Sequence, residues 1–221
     1  MTPLKSNTFL AVCAALAFAI TPAPAQKGDK QGEQQTARIP KEKIPANPPL
    51  SPADALAKFK IQPGFRIELV TSEPTVVNPV ALQFDPEGRL WVLEMRSFMP
   101  APDGRGEDAP TGRITILEDK DGDGRTEQSK VVIDKLVMPR AFLIVDGGLL
   151  VCEPPALWFY PIKNDVAGPR SLVAGDFAKD ADPKLGVRMN PEHSGNSLVM
   201  GMDNWIYSLY HPWRYRMGED L

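Results

Sequence analysis

A short pattern of two apolar β-runs joined by a tight turn occurs three times along the chain, and it constrains the fold more than any other feature. The copies span residues 80–94, 141–152 and 197–209, and their turns carry Asp-Pro-Glu-Gly, Asp-Gly-Gly and Asp-Asn. Such residues tolerate the positive φ angles of tight hairpin connections. The first two copies start 61 residues apart and the next two 56 residues apart. A long, fairly even period of β-hairpins is typical of repeated β-units, and of a β-propeller in particular.

The sequence therefore predicts an all-β chain, a partial β-propeller with about three blades of a six-bladed ring. One short helix is expected at residues 53–59, with Ser51 as its N-cap and Pro52 in its first turn. Residues 65–70 alternate as a strand, and residues 113–133 form two β-runs around an acidic turn. A propeller needs roughly 4–8 blades to close its ring. We therefore expect residues 51–221 to be the incomplete N-terminal portion of a longer propeller, with a short open sheet or a sandwich as the alternative.

The first 25 residues have the pattern of a secretory signal peptide. Lys5 gives the positive n-region, residues 8–20 the apolar core, and Ala23-Pro24-Ala25 the small-residue cleavage pattern. An apolar run of about 13 residues is shorter than the roughly 20 that a membrane-spanning helix needs. We therefore expect a secreted protein, periplasmic or extracellular, with no transmembrane span in the mature chain. Anchoring as a lipoprotein through Cys13 is the alternative.

Residues 26–50 are polar, charged and interrupted by prolines, which predicts a disordered linker. The formal net charge is −3 and no basic block is present, so nucleic acid is excluded as a partner. Cys13 leaves with the signal peptide, so Cys152 has no cysteine to pair with. Because Cys152 lies in an apolar strand, we expect a buried and unreactive thiol.

The turn at residues 119–127 is the most specific local motif for metal binding. Asp119, Asp121 and Asp123 alternate ahead of Gly124, which permits a sharp turn that brings the carbonyl of Arg125 into reach, and Glu127 can complete the shell. An EF-hand is excluded because its twelfth loop position is Lys130 and because the flanking segments are β-runs. Many flexible oxygen ligands favour calcium, in a role that stabilises the blade. The alternative is a solvated turn that binds no ion.

His193 lies in a small polar turn just before a strand, where an imidazole can take a proton from a substrate hydroxyl. A histidine on a surface loop is the alternative, and His211 has a weaker case because it precedes Pro212. Arg188, Arg214 and Arg216 are candidates for binding an anionic cofactor or substrate, although scattered arginines are more often solvated.

The ordered series of motifs over residues 51–210 resembles the N-terminal part of the membrane-bound dehydrogenases of planctomycetes and verrucomicrobia. The series contains Pro-Gly-Phe-Arg-Ile-Glu-Leu-Val at 63–70, Asn-Pro-Val-Ala at 78–81, Asp-Pro-Glu-Gly-Arg-Leu-Trp-Val at 85–92 and the acidic turn. These proteins are similar to the soluble glucose and sorbosone dehydrogenases, six-bladed propellers that use pyrroloquinoline quinone and calcium. Larger members carry helical repeats and a c-type haem domain.

This resemblance implies that His193 abstracts the hydroxyl proton of a sugar or alcohol while hydride moves to the quinone. His193, Asn196, Asp203 and Tyr207 match the quinoprotein pattern of a histidine, a strand start, an Asp turn and an aromatic strand. Asn196, Arg188 and Arg214 are the candidate cofactor-binding residues, and a c-type cytochrome is the implied electron acceptor. The turn reads Ser-Gly-Asn where the quinoprotein pattern is richer in glycine. A non-catalytic propeller, braced by calcium and binding a carbohydrate or a protein partner, is the alternative function.

Overall fold

The computed structural model describes residues 40–43, 45–101, 105–175, 195–209 and 214–216. The predicted signal peptide and most of the predicted linker lie outside these residues. The described end of the linker contains a 3-10 helix, Lys41–Lys43, and residues 45–50 are exposed.

A single short α-helix, α1, spans Pro52–Ala57 in the described part of the chain. The Ser51 side chain accepts a hydrogen bond from the backbone N–H of Asp54 at 3.1 Å, and Pro52 occupies the first helical turn. The N-cap is therefore as predicted, and the helix ends two residues earlier than the sequence suggested.

Twelve strands form three antiparallel sheets within the described residues, which confirms the all-β prediction. Sheet 1 contains β1 (Pro79–Phe84), β2 (Leu90–Glu94), β3 (Gly112–Glu118) and β4 (Gln128–Leu136), paired in that order. Sheet 2 contains β5 (Ala141–Val145), β6 (Gly148–Glu153), β7 (Ala156–Lys163), β8 (Val166–Ala167) and β9 (Ser171–Gly175), with β8 and β9 both paired to β7. Sheet 3 contains β10 (Asn196–Met200), β11 (Ile206–Leu209) and β12 (Arg214–Tyr215).

Each predicted hairpin forms the first two strands of one sheet. Phe84 pairs with Leu90 beside the first turn, Val145 with Gly148 beside the second, and Met200 with Ile206 beside the third. Gly88 and Asn204 have φ angles of 81° and 63°, as the turn residues predicted. Every sheet is therefore built from consecutive strands of one stretch of sequence.

The prediction of a strand at residues 65–70 was wrong. This segment contains no strand, although its side chains alternate in character. A strand needs a neighbouring strand for its backbone hydrogen bonds. Here the segment has one backbone hydrogen bond to a distant part of the sequence, from the N–H of Thr126 to the carbonyl of Val70, at 3.1 Å. Val76 then packs against Leu90, Val92 and Leu117 on sheet 1.

Sheet 2 is covered on both faces, by sheet 1 on one side and by sheet 3 on the other. Successive side chains of a strand point to opposite sides, so neighbouring residues of sheet 2 belong to different cores. On β5, Phe142 packs into a core with Trp91 and Ile114 of sheet 1. Its neighbour Leu143 packs into a second core with Leu198 of sheet 3. The same division holds on β6 and β7, where Leu149, Val151 and Tyr160 face sheet 1 and Leu150, Cys152 and Leu157 face sheet 3.

The first strands of the three sheets lie side by side, with β1 next to β5 and β5 next to β10. The Gln83 side chain joins β1 to β5, because it donates to the carbonyl of Phe142 and accepts from the N–H of Ile144, both at 3.0 Å. In the turn that follows β1, Arg89 binds Asp85 of the same turn and Asp165 between β7 and β8. Polar contacts therefore connect sheets 1 and 2 both at the end of β1 and at the turn that follows it.

The Cys152 thiol is buried between sheets 2 and 3, as predicted. Burial raises the pKa of this thiol to about 12. At neutral pH the sulfur therefore stays protonated, and a protonated thiol is a poor nucleophile.

None of the helices in the described residues has the length and apolar character needed to cross a bilayer.

We predict that Phe142→Ala lowers the free energy of unfolding by about 3–5 kcal/mol, because it leaves a cavity between sheets 1 and 2. Urea denaturation followed by circular dichroism measures this change. Leu172→Ala, at an exposed apolar position on β9, is the matched control and should change stability by less than about 0.5 kcal/mol. Equal effects of the two substitutions would show that the face of sheet 2 is not buried in solution.

Candidate metal centre

The acidic turn connects β3 to β4, the two strands of sheet 1 that lie farthest from β1. Each of Asp119, Asp121, Asp123 and Glu127 contributes one carboxylate oxygen to a cluster whose members lie within 4.8 Å of one another. All four side chains are exposed. The structure therefore brings together the four carboxylates that the sequence predicted as metal ligands.

Backbone hydrogen bonds hold these carboxylates in place. Asp119 accepts from the N–H groups of Gly122 and Gly124 at 2.7 and 2.8 Å. Asp123 accepts from the N–H of Arg125 at 2.8 Å, and Glu127 accepts from that of Lys120 at 2.9 Å. Each of these bonds uses one carboxylate oxygen, and an oxygen has a second lone pair with which it can bind a cation.

The two glycines of the turn have a conformational role. Gly122 and Gly124 have φ angles of 79° and 87°, in the left-handed region that other residues rarely occupy. Their tight turn brings the side chain of Asp119 back over the loop. The sequence prediction assigned this role to Gly124 alone.

The charge of the cluster has no basic partner among the described residues. Lys120 pairs with Glu118, which lies outside the cluster. Four carboxylates within a few ångströms repel one another, and a bound cation would relieve this repulsion. Oxygens that share a calcium ion at 2.3–2.6 Å lie at most about 5 Å apart. The dimensions and the oxygen-only donor set therefore fit calcium.

The predicted catalytic and cofactor-binding residues are described only in part. His193 and Arg188 lie outside the described residues, as does His211. Asn196 is half-buried at the start of β10 and pairs with Leu209, and Arg214 is exposed on β12 and pairs with Tyr207. The described residues therefore neither assemble nor exclude the predicted quinone site.

Asp203 and Tyr207 bind each other at the turn of the third hairpin. The Tyr207 hydroxyl donates to the Asp203 carboxylate at 2.6 Å, and the N–H of Trp205 donates to the same carboxylate at 3.2 Å. The hydrogen bond from Tyr207 lowers the pKa of Asp203 and raises that of Tyr207. The Arg214 guanidinium lies 4.4 Å from the centre of the Trp205 ring. In this structure, these residues stabilise the hairpin.

A buried glutamate that the sequence analysis missed organises the end of sheet 1. Glu94 has no exposed surface, and its carboxylate accepts from the N–H of Val77 at 2.8 Å and from the Thr115 hydroxyl at 3.0 Å. Arg113 pairs with the same carboxylate at 2.6 Å. A buried charge needs this degree of compensation to be tolerated.

Sheet 2 repeats the arrangement with Glu153. Its carboxylate accepts from the N–H of Val137 at 2.8 Å and pairs with Arg170 at 2.5 Å. Both glutamates end the second strand of their sheet, and both receive the N–H of a valine that precedes the first strand. The sequence does contain a signal for this repeat. Residues 77–81 and 137–141 both read Val-x-Pro-x-Ala, and a glutamate follows each alanine by 12 or 13 residues.

Comparisons with known proteins give one family match. The family model described as "Domain of unknown function (DUF7133)" matches residues 51–212. No curated protein matches the chain. A solved structure described as "Iodide structure of Trichoderma reesei Carbohydrate-Active Enzymes Family AA12" aligns at 20% identity with a TM-score of 0.35, covering 48% of this chain and 25% of that one. A TM-score at this level does not establish a shared fold.

We predict that Glu94→Ala lowers the free energy of unfolding by about 3–5 kcal/mol, because Arg113 and the N–H of Val77 both lose their partner. The matched control is Glu68→Ala, which breaks an exposed Glu–Arg pair with Arg66 and should cost at most about 1 kcal/mol. Urea unfolding measures both variants. Similar small losses in the two would contradict a supporting role for Glu94.

Proposed function

The chain belongs to the DUF7133 family, and we propose that it forms blades of a calcium-braced β-propeller in a secreted dehydrogenase that oxidises a sugar or an alcohol. The arrangement of the sheets supports the propeller. The ordered motifs that resemble quinoprotein dehydrogenases support the activity.

The covering of sheet 2 on both faces is the observation that carries the propeller proposal. A propeller blade packs one face against the preceding blade and the other against the following blade. Sheet 2 does this with Phe142 towards sheet 1 and Leu143 towards sheet 3. The first strands of the three sheets lie next to one another, as the innermost strands of blades around a central axis would.

In this proposal, calcium binds at the acidic turn and stabilises sheet 1. Asp119, Asp121, Asp123 and Glu127 supply carboxylate oxygens, and the carbonyl of Arg125 is a further candidate ligand. The turn joins the two strands farthest from the proposed axis. This position favours a structural ion over one that contacts a substrate near the axis.

Pyrroloquinoline quinone is the proposed redox cofactor, and it would accept the hydride from the substrate. His193 would take the proton from the substrate hydroxyl, and Asn196, Arg188 and Arg214 would hold the cofactor through its polar groups. Electrons would then pass to a c-type haem domain or cytochrome partner. The signal-peptide pattern over residues 1–25 supports a periplasmic or extracellular location.

A second candidate function is a non-catalytic propeller that binds a carbohydrate or a protein. The distance of the acidic turn from the proposed axis supports this candidate, because an ion that braces the outer strands needs no catalytic site near the axis. Calcium binding is common to both candidates. Quinone binding and substrate oxidation distinguish them.

We predict that calcium raises the melting temperature. At a concentration one hundred times the Kd, binding adds about 2.7 kcal/mol, which for a domain of this size corresponds to roughly 5–10 °C. Differential scanning fluorimetry with added calcium or with chelator measures the shift. Asp121→Ala should abolish it, and Asp146→Ala, which removes an exposed aspartate from the turn of another hairpin, should leave it intact. Identical melting with calcium and with chelator would remove the metal assignment.

We also predict that the chain, supplied with pyrroloquinoline quinone and calcium, reduces an electron-accepting dye in the presence of aldoses or alcohols. Because a positioned general base contributes about 10²–10⁴-fold to the rate, His193→Ala should lower kcat by that factor. His211→Ala alters the other histidine and should retain activity. Absence of quinone binding in an equilibrium titration would instead support the non-catalytic propeller.

A further inference from the structure

Within the described part of the chain, sheet 1 has one apolar face that no other sheet covers at its first strand. Ala81 packs into the core shared with sheet 2, and Gln83 binds the backbone of β5. The residues that alternate with them, Leu82 and Phe84, therefore point to the other side, and both are exposed. We call these two residues the open face of sheet 1.

The repeat in the sequence shows what this face resembles. When the Val-x-Pro-x-Ala motifs at 77–81 and 137–141 are aligned in sequence, Leu82 corresponds to Phe142 and Phe84 corresponds to Ile144. Phe142 is 1% exposed because sheet 1 covers it, whereas Leu82 is 61% exposed. The open face of sheet 1 is thus the counterpart of a surface that in sheet 2 is buried against the preceding sheet.

Sheet 3 has the complementary open face. Leu198 and Ile206 pack against sheet 2, so Val199 points away from it, and Val199 is 58% exposed. Tyr207 lies directly opposite Val199 in the ladder and is exposed as well. We call Val199, Tyr207 and the adjoining Trp205 and Arg214 the open face of sheet 3.

These two faces are of the types that meet inside the chain. We call the face of a sheet that is directed towards the next sheet in the sequence its forward face, and the opposite face its rear face. The forward face of sheet 1 packs against the rear face of sheet 2, and the forward face of sheet 2 packs against the rear face of sheet 3. The open face of sheet 1 is a rear face and that of sheet 3 is a forward face. A contact between such faces on two copies is heterologous, and heterologous contacts form a closed ring if the rotation between units closes.

We propose that two copies of this chain associate head to tail, with the open face of sheet 3 on each copy packed against the open face of sheet 1 on the other. The described residues of two copies supply six sheets, a number within the roughly 4–8 blades of closed propellers. The proposal commits to a second copy because both required faces are present on one chain and continue an interface that the chain already uses twice. It rests on the propeller architecture of the proposed function and is independent of the oxidation chemistry.

The test is the mass of the full chain in solution, measured by light scattering after size exclusion and by sedimentation equilibrium from 1 to 100 µM. We expect a dimer, and we expect Leu82→Glu and Val199→Glu each to give a monomer because each buries a charge in the interface. Val166→Glu and Leu172→Glu are matched controls at positions 61% and 56% exposed on the outer strands of sheet 2. Both should remain dimeric, with circular dichroism confirming that all variants fold.

Disulfide cross-linking tests the orientation without adding a charge. Chains carrying Leu82→Cys should form a covalent dimer when mixed with chains carrying Val199→Cys, and neither variant should do so alone. The buried thiol of Cys152 should not compete. A monomer at all concentrations, an open polymer, or a dimer insensitive to both glutamate variants would overturn the proposal. None of these results would affect the quinone and calcium titrations, so the proposed function is tested separately.

Discussion

The fold depends on the burial of both faces of sheet 2. An antiparallel sheet with one apolar face can leave its other face in water, but the residues of β5, β6 and β7 are apolar on both sides, and each side packs against a different neighbour. Sheet 2 alone would expose two hydrophobic surfaces. Sheets 1 and 3 therefore stabilise the fold chiefly by packing on sheet 2, since the first strands of sheets 1 and 3 both adjoin β5.

The buried glutamates satisfy backbone groups at the entrances to two sheets. The segments that lead into the first strands of sheets 1 and 2 each contain a backbone N–H without a ladder partner. Glu94 binds that group at Val77, and Glu153 binds its counterpart at Val137. An arginine in each case neutralises the carboxylate. The same contact, at the same place in two sheets, thus fixes where the chain enters the first strand of each of the two.

The sequence predicted the hairpins well because a turn motif and two alternating runs are local information. It also predicted the cluster of Asp119, Asp121 and Asp123, since residues this close in a tight turn must lie near one another. It failed for residues 65–70, where alternation indicated a strand but pairing requires a distant partner that the described residues do not provide. Glu94 was missed for a related reason. A glutamate at the end of an apolar run looks solvent-exposed until the positions of Arg113 and Val77 are known.

The position of Cys152 has a consequence for how the molecule would fare in an oxidising compartment. A lone thiol there is at risk of oxidation or of mixed disulfides, and here the seam between sheets 2 and 3 shields it while its raised pKa keeps it protonated. The protection lasts only as long as the seam stays closed. A molecule in which sheet 3 separates from sheet 2 would expose its sulfur. Oxidation of Cys152 would therefore occur selectively in molecules that have partly unfolded, whereas the thiol of fully packed molecules would stay reduced.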